Sequence, residues 1–334
     1  MSNKLRFEKC SESEWDFILK NSNESNLFSK TLFLKNCGSK FHLWKVMQGN
    51  EIKAGVCLLV DNDEKESIEN KFIIHNSIYF NLDKKRILPK IREDKFQITD
   101  FIIKNLTSKY KKIFLSLDPS FNDLRPFQWF NYDYEGPRFE ISTKYTSWLD
   151  ISEFKSIEIK NEKKSELFKN LEPVRRYSIR QAIKDNYNIE FSKESGKFID
   201  LYRKFLSNNN STEMKGDLEI ISKIIEQLLE QDKGIITYIY SNTSELIYSM
   251  FTGWDETKAY YLYGVGAVVN KKSWQGTIGL WSILKYIAKN KNIKIFDFEG
   301  VNSPNRGWFK LGFGGDLISY YQIKYDKEKI YANK

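Results

Sequence analysis

Residues 293–315 read IKIFDFEGVNSPNRGWFKLGFGG. An apolar run ends in two acids, Asp297 and Glu299, and Lys310 follows between Phe309 and a glycine-rich segment. Acids can take a proton from an ammonium, and a cation can sit beside a phosphate or a developing oxyanion. If the strand stays regular, Asp297 and Glu299 share one face, although either acid could instead cap the turn that follows. Lys310 is the first choice for chemistry on a glycine-flanked turn, the alternative being a surface lysine between buried Phe309 and Phe313. Gly300, Gly312, Gly314 and Gly315 suit tight turns or close approach to a ligand. No phosphate-loop or dinucleotide fingerprint occurs anywhere in the chain.

Further candidates lie upstream. Arg176 and Arg180 fall at i, i+4 on one helical face, a spacing that grips a diphosphate or carboxylate or pairs with Glu172 and Asp185. Arg138 stands beside a Gly-Pro corner that would present it rigidly to an anion, and Arg125 is placed to pair with Asp123. Tyr261 and Tyr263 alternate onto one strand face and would line a pocket, or simply half-bury there. Trp129 and Phe130 read as core or pocket wall. His42 and His75 are the only histidines, so a multi-histidine metal centre is excluded and no bound metal is expected. Neither histidine lies in a serine-histidine-acid order.

The chain of 334 residues is long enough for two domains, and 41% hydrophobic with 15% aromatic residues supports a folded protein. A formal charge of +9 suits anionic partners: phosphorylated small molecules, nucleotide sugars, coenzyme A, transfer RNA or an anionic membrane surface. The lysines are scattered, however, and form no nucleic-acid arm. No apolar run reaches the length of a membrane helix, and no export signal is evident at the N-terminus. Three widely spaced cysteines then point to a reduced, cytoplasmic protein. Peripheral contact with the inner membrane through lysines stays open, and no obligate protein partner is evident.

Positioning these residues requires the following elements. Residues 11–21 predict a short amphipathic helix. Residues 31–67 predict strand, turn and strand with QGNE at the hairpin tip, and KFIIHNSIYFNL a further strand. A helix up to about residue 110 and the strand KIFLSLDPS follow. Residues 121–154 read as loops and strands crossing toward a second domain. Residues 152–187 read as helical with a break before Pro173. NIEFSKE is a strand, FIDLYRKFLSNNN and LEIISKIIEQLLEQD are amphipathic helices, and three strands lie between residues 234 and 267. A helix over roughly 276–289, the strand IKIFDFEG and a closing strand complete the chain. The order repeats in outline, which predicts two similar α/β halves, 1–150 and 151–334.

Four segments, DPSFNDLRPFQWF, TKYTSWLDISEF, LFKNLEPVRRYSIRQAIKDNYNIEF and FDFEGVNSPNRGWFKLGFGG, resemble in order the FemABX-like family of aminoacyl and acyl transferases. The resemblance implies two tandem domains of the GNAT acetyltransferase fold, of the type without a coiled-coil arm. It implies transfer of an acyl or aminoacyl group to an amine of an anionic cell-wall or surface-glycan precursor, for instance a nucleotide-linked acceptor. Either aminoacyl-tRNA or an acyl-CoA would be the donor, held in a channel of the second domain. The family's terminal FK-x-G-F-G segment matches Lys310, its acid before an aromatic favours Asp297 over Glu299, and its basic segment favours Arg180 as an acceptor contact. Where GNAT enzymes cradle pyrophosphate with [RQ]xxGx[GA], this chain has NKKSWQGTIG. Gly276 and Gly279 stand at a different spacing, with Lys271 and Lys272 as the local charge. Two rivals accompany this reading: an acyl-CoA-dependent N-acyltransferase on a nucleotide-linked amino sugar, and a noncatalytic anion-binding protein.

Overall fold

A computed structural model describes residues 4–157, 159–208 and 214–332. The chain divides into two compact units, Met1–Lys144 with Ser319–Lys334, and Tyr145–Ile318. Residues from Ser319 on thus fall in the first unit, where a division at 150 would place them in the second. The pairing of Gln322 with Ser116 and of Asp326 with Lys112 explains it: the last strand lies beside residues 112–116 of the first unit.

The first unit opens with β1 (Leu5–Lys9), α1 (Glu12–Asn21) and α2 (Thr31–Asn36). Ser11 and Glu14 form a reciprocal capping box that starts α1, and Trp15, Ile18 and Leu19 are its buried face. Residues 31–36 were expected in a strand; they form a helix that buries Phe33 and Leu34, a short apolar run whose period does not distinguish the two. The hairpin of β2 (Lys40–Gln48) and β3 (Glu51–Val60) turns at Gly49, whose φ of +58° suits glycine. Only β4 (Ile78–Phe80) of the next expected strand is regular. Before it, the Asn76 side chain takes the Ser116 N–H and donates to the Phe114 carbonyl, replacing ladder bonds. Then come α3 (Leu88–Lys109), β5 (Lys112–Ser116), α4 (Arg125–Trp129) and the long β6 (Gly136–Asp150). Strands β1 to β4 form an antiparallel sheet. Ile102, Ile103 and Leu106 of α3 pack with Val56, Leu58, Ile323 and Tyr325 in this unit's core.

In the second unit, residues 152–169 form short turns rather than the expected continuous helix, with Glu158 outside the described residues. The Glu153 carboxylate accepts from the N–H groups of Glu166 and Leu167, and Ser165 accepts from that of Phe168. These side chains start a new helix, α5 (Glu166–Lys169), and Pro173 then opens α6 (Pro173–Lys184). Next come β7 (Asn188–Ser192), α7 (Gly196–Asn208), α8 (Met214–Glu230), β8 (Gly234–Tyr240), β9 (Leu246–Trp254) and β10 (Lys258–Gly266). Asn209 and Asn210, expected at the end of α7, lie outside the described residues. The chain closes with α9 (Gln275–Asn290), β11 (Ile295–Asp297), α10 (Pro304–Leu311) and β12 (Asp316–Tyr331). The larger sheet has the order β5-β12-β6-β11-β10-β9-β8-β7, antiparallel apart from the parallel pair β10 and β11 among the described registers. The fold is mixed α/β with partly antiparallel sheets, as expected. Helix α9 buries Ile278, Leu280, Trp281, Ile283, Leu284 and Ile287 in the second core.

Candidate active site

Strand β11 is three residues long because the side chain at its end captures the chain beyond it. Asp297 is buried, and its Oδ1 accepts the Glu299 N–H at 2.7 Å and the Thr146 hydroxyl. Its Oδ2 accepts the Trp148 indole N–H at 2.7 Å. Three donors hold this carboxylate, so it fixes the turn and the edge of β6. Glu299 then adopts φ +59°, a left-handed backbone uncommon for a non-glycine residue. The two acids therefore do not continue one strand face.

Glu299 points its Oε1 into a buried position where it has no hydrogen-bond partner among the described residues. Burial pushes its carboxyl well above the ordinary carboxylate range; Lys310 pulls it back and Asp297 adds to the rise. Lys310 lies in the last turn of α10 and is only 8% exposed, rather than standing on a turn at the surface. Its Nζ donates to the Gly300 carbonyl at 3.1 Å and lies 5.3 Å from the centre of the Tyr261 ring. Burial draws the ammonium's pKa down, against the pull of Glu299 and Asp297, and Arg306 one helical turn earlier adds to the fall. A carboxyl raised and an ammonium lowered, each acting on the other's charge, are groups suited to moving protons.

Tyrosines frame the pair. The Tyr261 and Tyr248 hydroxyls are 3.0 Å apart, and a bulge in β10 between Tyr261 and Tyr263 alters the alternation expected there. Burial pushes the Tyr263 hydroxyl far up, with the Glu299 charge adding to it. Gly264 makes room for the pair: a Cβ there would come within 2.0 Å of the Tyr261 Oη and 2.7 Å of the Tyr248 Oη. Gly264→Ala is expected to force the hydroxyls apart and to cost about 1–3 kcal/mol, as overpacking does. Chemical denaturation measures it. An unchanged midpoint would show that the rings swing away freely.

Helix α9 approaches the same residues. Its Gly276 and Gly279 lack the Cβ atoms that would crowd Phe309 at 3.3 Å and Tyr248 at 3.0 Å, so both glycines serve close packing. Arg175, absent from the sequence candidates, stands at this helix start. Its guanidinium donates to the Thr277 hydroxyl at 3.2 Å and lies 4.5 Å from the Phe309 ring centre, while its buried Nε has no hydrogen-bond partner among the described residues. Desolvation lowers its pKa, opposed by Glu172.

No family model and no curated protein matches the chain. Solved structures do. FemX aligns with a TM-score of 0.62 at 13% identity, covering 95% of this chain and 96% of that one. The C-terminal domain of a putative lysylphosphatidylglycerol synthetase from Agrobacterium fabrum aligns at 0.57 and 10% identity, covering 94% and 92%. A tandem GNAT protein from the clavulanic acid biosynthesis pathway, solved without AcCoA, aligns at 0.55 and 9% identity, covering 98% and 100%. The fold is GNAT-related. At these identities the likeness is one of fold, and it extends over almost the whole chain.

Within this GNAT-related fold the remaining candidates separate. Arg176 donates to the Lys169 carbonyl at 2.8 Å, and Arg180 lies exposed over the Phe168 ring at 5.9 Å. Lys271 and Lys272 are exposed ahead of α9, where the Lys272 N–H meets the Gln275 side chain. Arg138 belongs to the first unit and donates to the carbonyls of Asn131, Tyr132 and Tyr134, while Arg125 pairs with Asp123 at 2.6 Å. Thr146, Trp148 and Tyr248 escape sequence reasoning: ordinary strand residues, they gain their roles from partners far along the chain. Among the described residues no group of three or more His, Cys, Asp or Glu side chains could hold a metal ion, and no helix is long and apolar enough to cross a membrane.

Proposed function

We propose that the protein transfers an acyl or aminoacyl group to an amine, forming an amide on an anionic cell-wall or surface-glycan precursor. One observation carries the reading: the buried Glu299 Oε1, with no hydrogen-bond partner among the described residues, beside the charge of buried Lys310. Glu299 takes the proton of the incoming ammonium, and the free amine attacks the donor carbonyl. The Lys310 ammonium stabilises the resulting oxyanion, and its collapse expels the donor's ribose oxygen or thiol, which takes up the second proton shed by the attacking nitrogen, while Glu299 returns its own proton to solvent. A buried carboxylate oxygen left without a hydrogen bond costs stability, which favours a catalytic over a noncatalytic use of Glu299. The similar architecture of FemX supports the aminoacyl-tRNA version. The acyl-CoA version, on a nucleotide-linked amino sugar, is supported by the Arg175 guanidinium at the start of α9, a position that favours anions. Incubating one amine acceptor, a UDP-linked muropeptide or UDP-amino sugar, in parallel with acetyl-CoA and with charged tRNA tests both. Amide product from one donor selects the version; none from either, across an acceptor panel, removes the transferase reading.

A further inference from the structure

The first unit contains a groove that takes no part in the chemistry above. Its volume is about 490 Å³, and its walls include Gln128, Trp129, Tyr132, Arg138, Glu140 and Tyr331. All of these belong to the first unit. Trp129 and Tyr132 stay 54% and 50% exposed, although they are the kind of side chain that normally gains most from burial. Arg125 lies 5.6 Å from the Trp129 ring centre and Phe96 packs at 5.3 Å, which steadies the indole.

The polar groups at the rim are also held in place. Three backbone carbonyls fix Arg138 through its Nε and one terminal nitrogen. Glu140 accepts from both Lys329 and Tyr331 on the same oxygen, Oε1. That geometry leaves Oε2, the amide of Gln128 and the other Arg138 nitrogen to serve a ligand. Among the lining residues one cation, Arg138, stands against one acid, Glu140, whose pKa is lowered by Lys329 first and Tyr331 second. Such a groove has no strong sign to select an ion. Flat aromatic faces with planar bidentate groups at the rim match a ring that has one C–H face and vicinal hydroxyls at its edge. The volume falls in the range of small-molecule sites.

We propose that this groove binds a neutral pyranose sugar, stacked on Trp129 and Tyr132 and hydrogen-bonded at its edge by Gln128, Arg138 and Glu140. The site stands independently of the transferase reading, because none of its residues belongs to the Glu299 and Lys310 cluster.

The test is saturation-transfer NMR and calorimetric titration of the full chain with methyl β-glucoside, tri-N-acetylglucosamine and maltotriose. At least one sugar is expected to bind saturably. Trp129→Ala is expected to weaken that binding about tenfold, the scale of one lost aromatic contact with its buried area. Trp129→Phe should restore most of it, and Tyr132→Ala should weaken it without any change at the tryptophan. Glu299→Gln should bind sugar like the parent, which separates this site from the proposed chemistry. Absence of saturable sugar binding overturns the proposal. So does binding that survives both Trp129→Ala and Tyr132→Ala in folded protein, or capture of a plain aromatic alcohol in preference to every sugar.

Discussion

Glu299→Gln is expected to fold, to melt at a higher temperature than the parent at neutral pH, and to lose turnover by about 10²–10⁴, the range of a lost general base. Burial raises the carboxyl's pKa above its unfolded value, so the folded state prefers the protonated form. Stability is therefore lost as pH rises from the ordinary carboxylate value toward the raised one. Glutamine removes that loss, and the two proteins should converge in stability near pH 4, where both side chains are neutral. Turnover of the parent should climb with pH through the raised Glu299 value, and this limb should vanish in the variant. Calorimetry and a pH-rate profile with the productive donor check both halves. Parental turnover in a folded Glu299→Gln enzyme would remove Glu299 as the base.

Lys310→Met is the second large effect, a fall in turnover of about 10²–10³ from loss of one charge contact to the developing oxyanion. Methionine keeps much of the stem against Tyr261 and forfeits the bond to the Gly300 carbonyl. In the parent, burial lowers the ammonium's pKa, so activity should decline on the alkaline side below the ordinary lysine range. The bell-shaped profile reports the pair as a coupled system rather than either group alone. In Lys310→Met the alkaline limb should disappear along with most of the rate. Single-turnover kinetics locate the loss: if acceptor and donor affinity fall while the chemical step is unchanged, Lys310 binds substrate instead.

Long periodic elements were readable from the chain alone, because a face that repeats over many residues leaves a spacing no other packing explains. Helices α3, α7, α8 and α9 and the hairpin at Gly49 belong to this class. Short apolar runs did not reveal their state. Residues 31–36 became a helix, and Asn76 replaced part of a strand with its own side chain. In the site, residue types pointed to the right segment but not to its internal roles. Asp297 is engaged by Thr146 and Trp148, whose positions some 150 residues earlier no local spacing discloses. Arg175 and Arg176 are neighbours of the same type. Only tertiary packing decides that the first lies against Phe309 and Thr277 while the second reaches the Lys169 carbonyl.

The division of the chain has a consequence for how the protein is made. A ribosome delivers domains in sequence, and the N-terminal one ordinarily folds first. Here Ile323 and Tyr325, both core residues of the first unit, are synthesised after the whole of the second. The contiguous second unit can close its core while the first still lacks the strand that pairs with β5. Translation thus begins one unit, completes the other, and only then supplies residues 319 onward of the first, so a message cut short after residue 318 lacks the strand that pairs with β5.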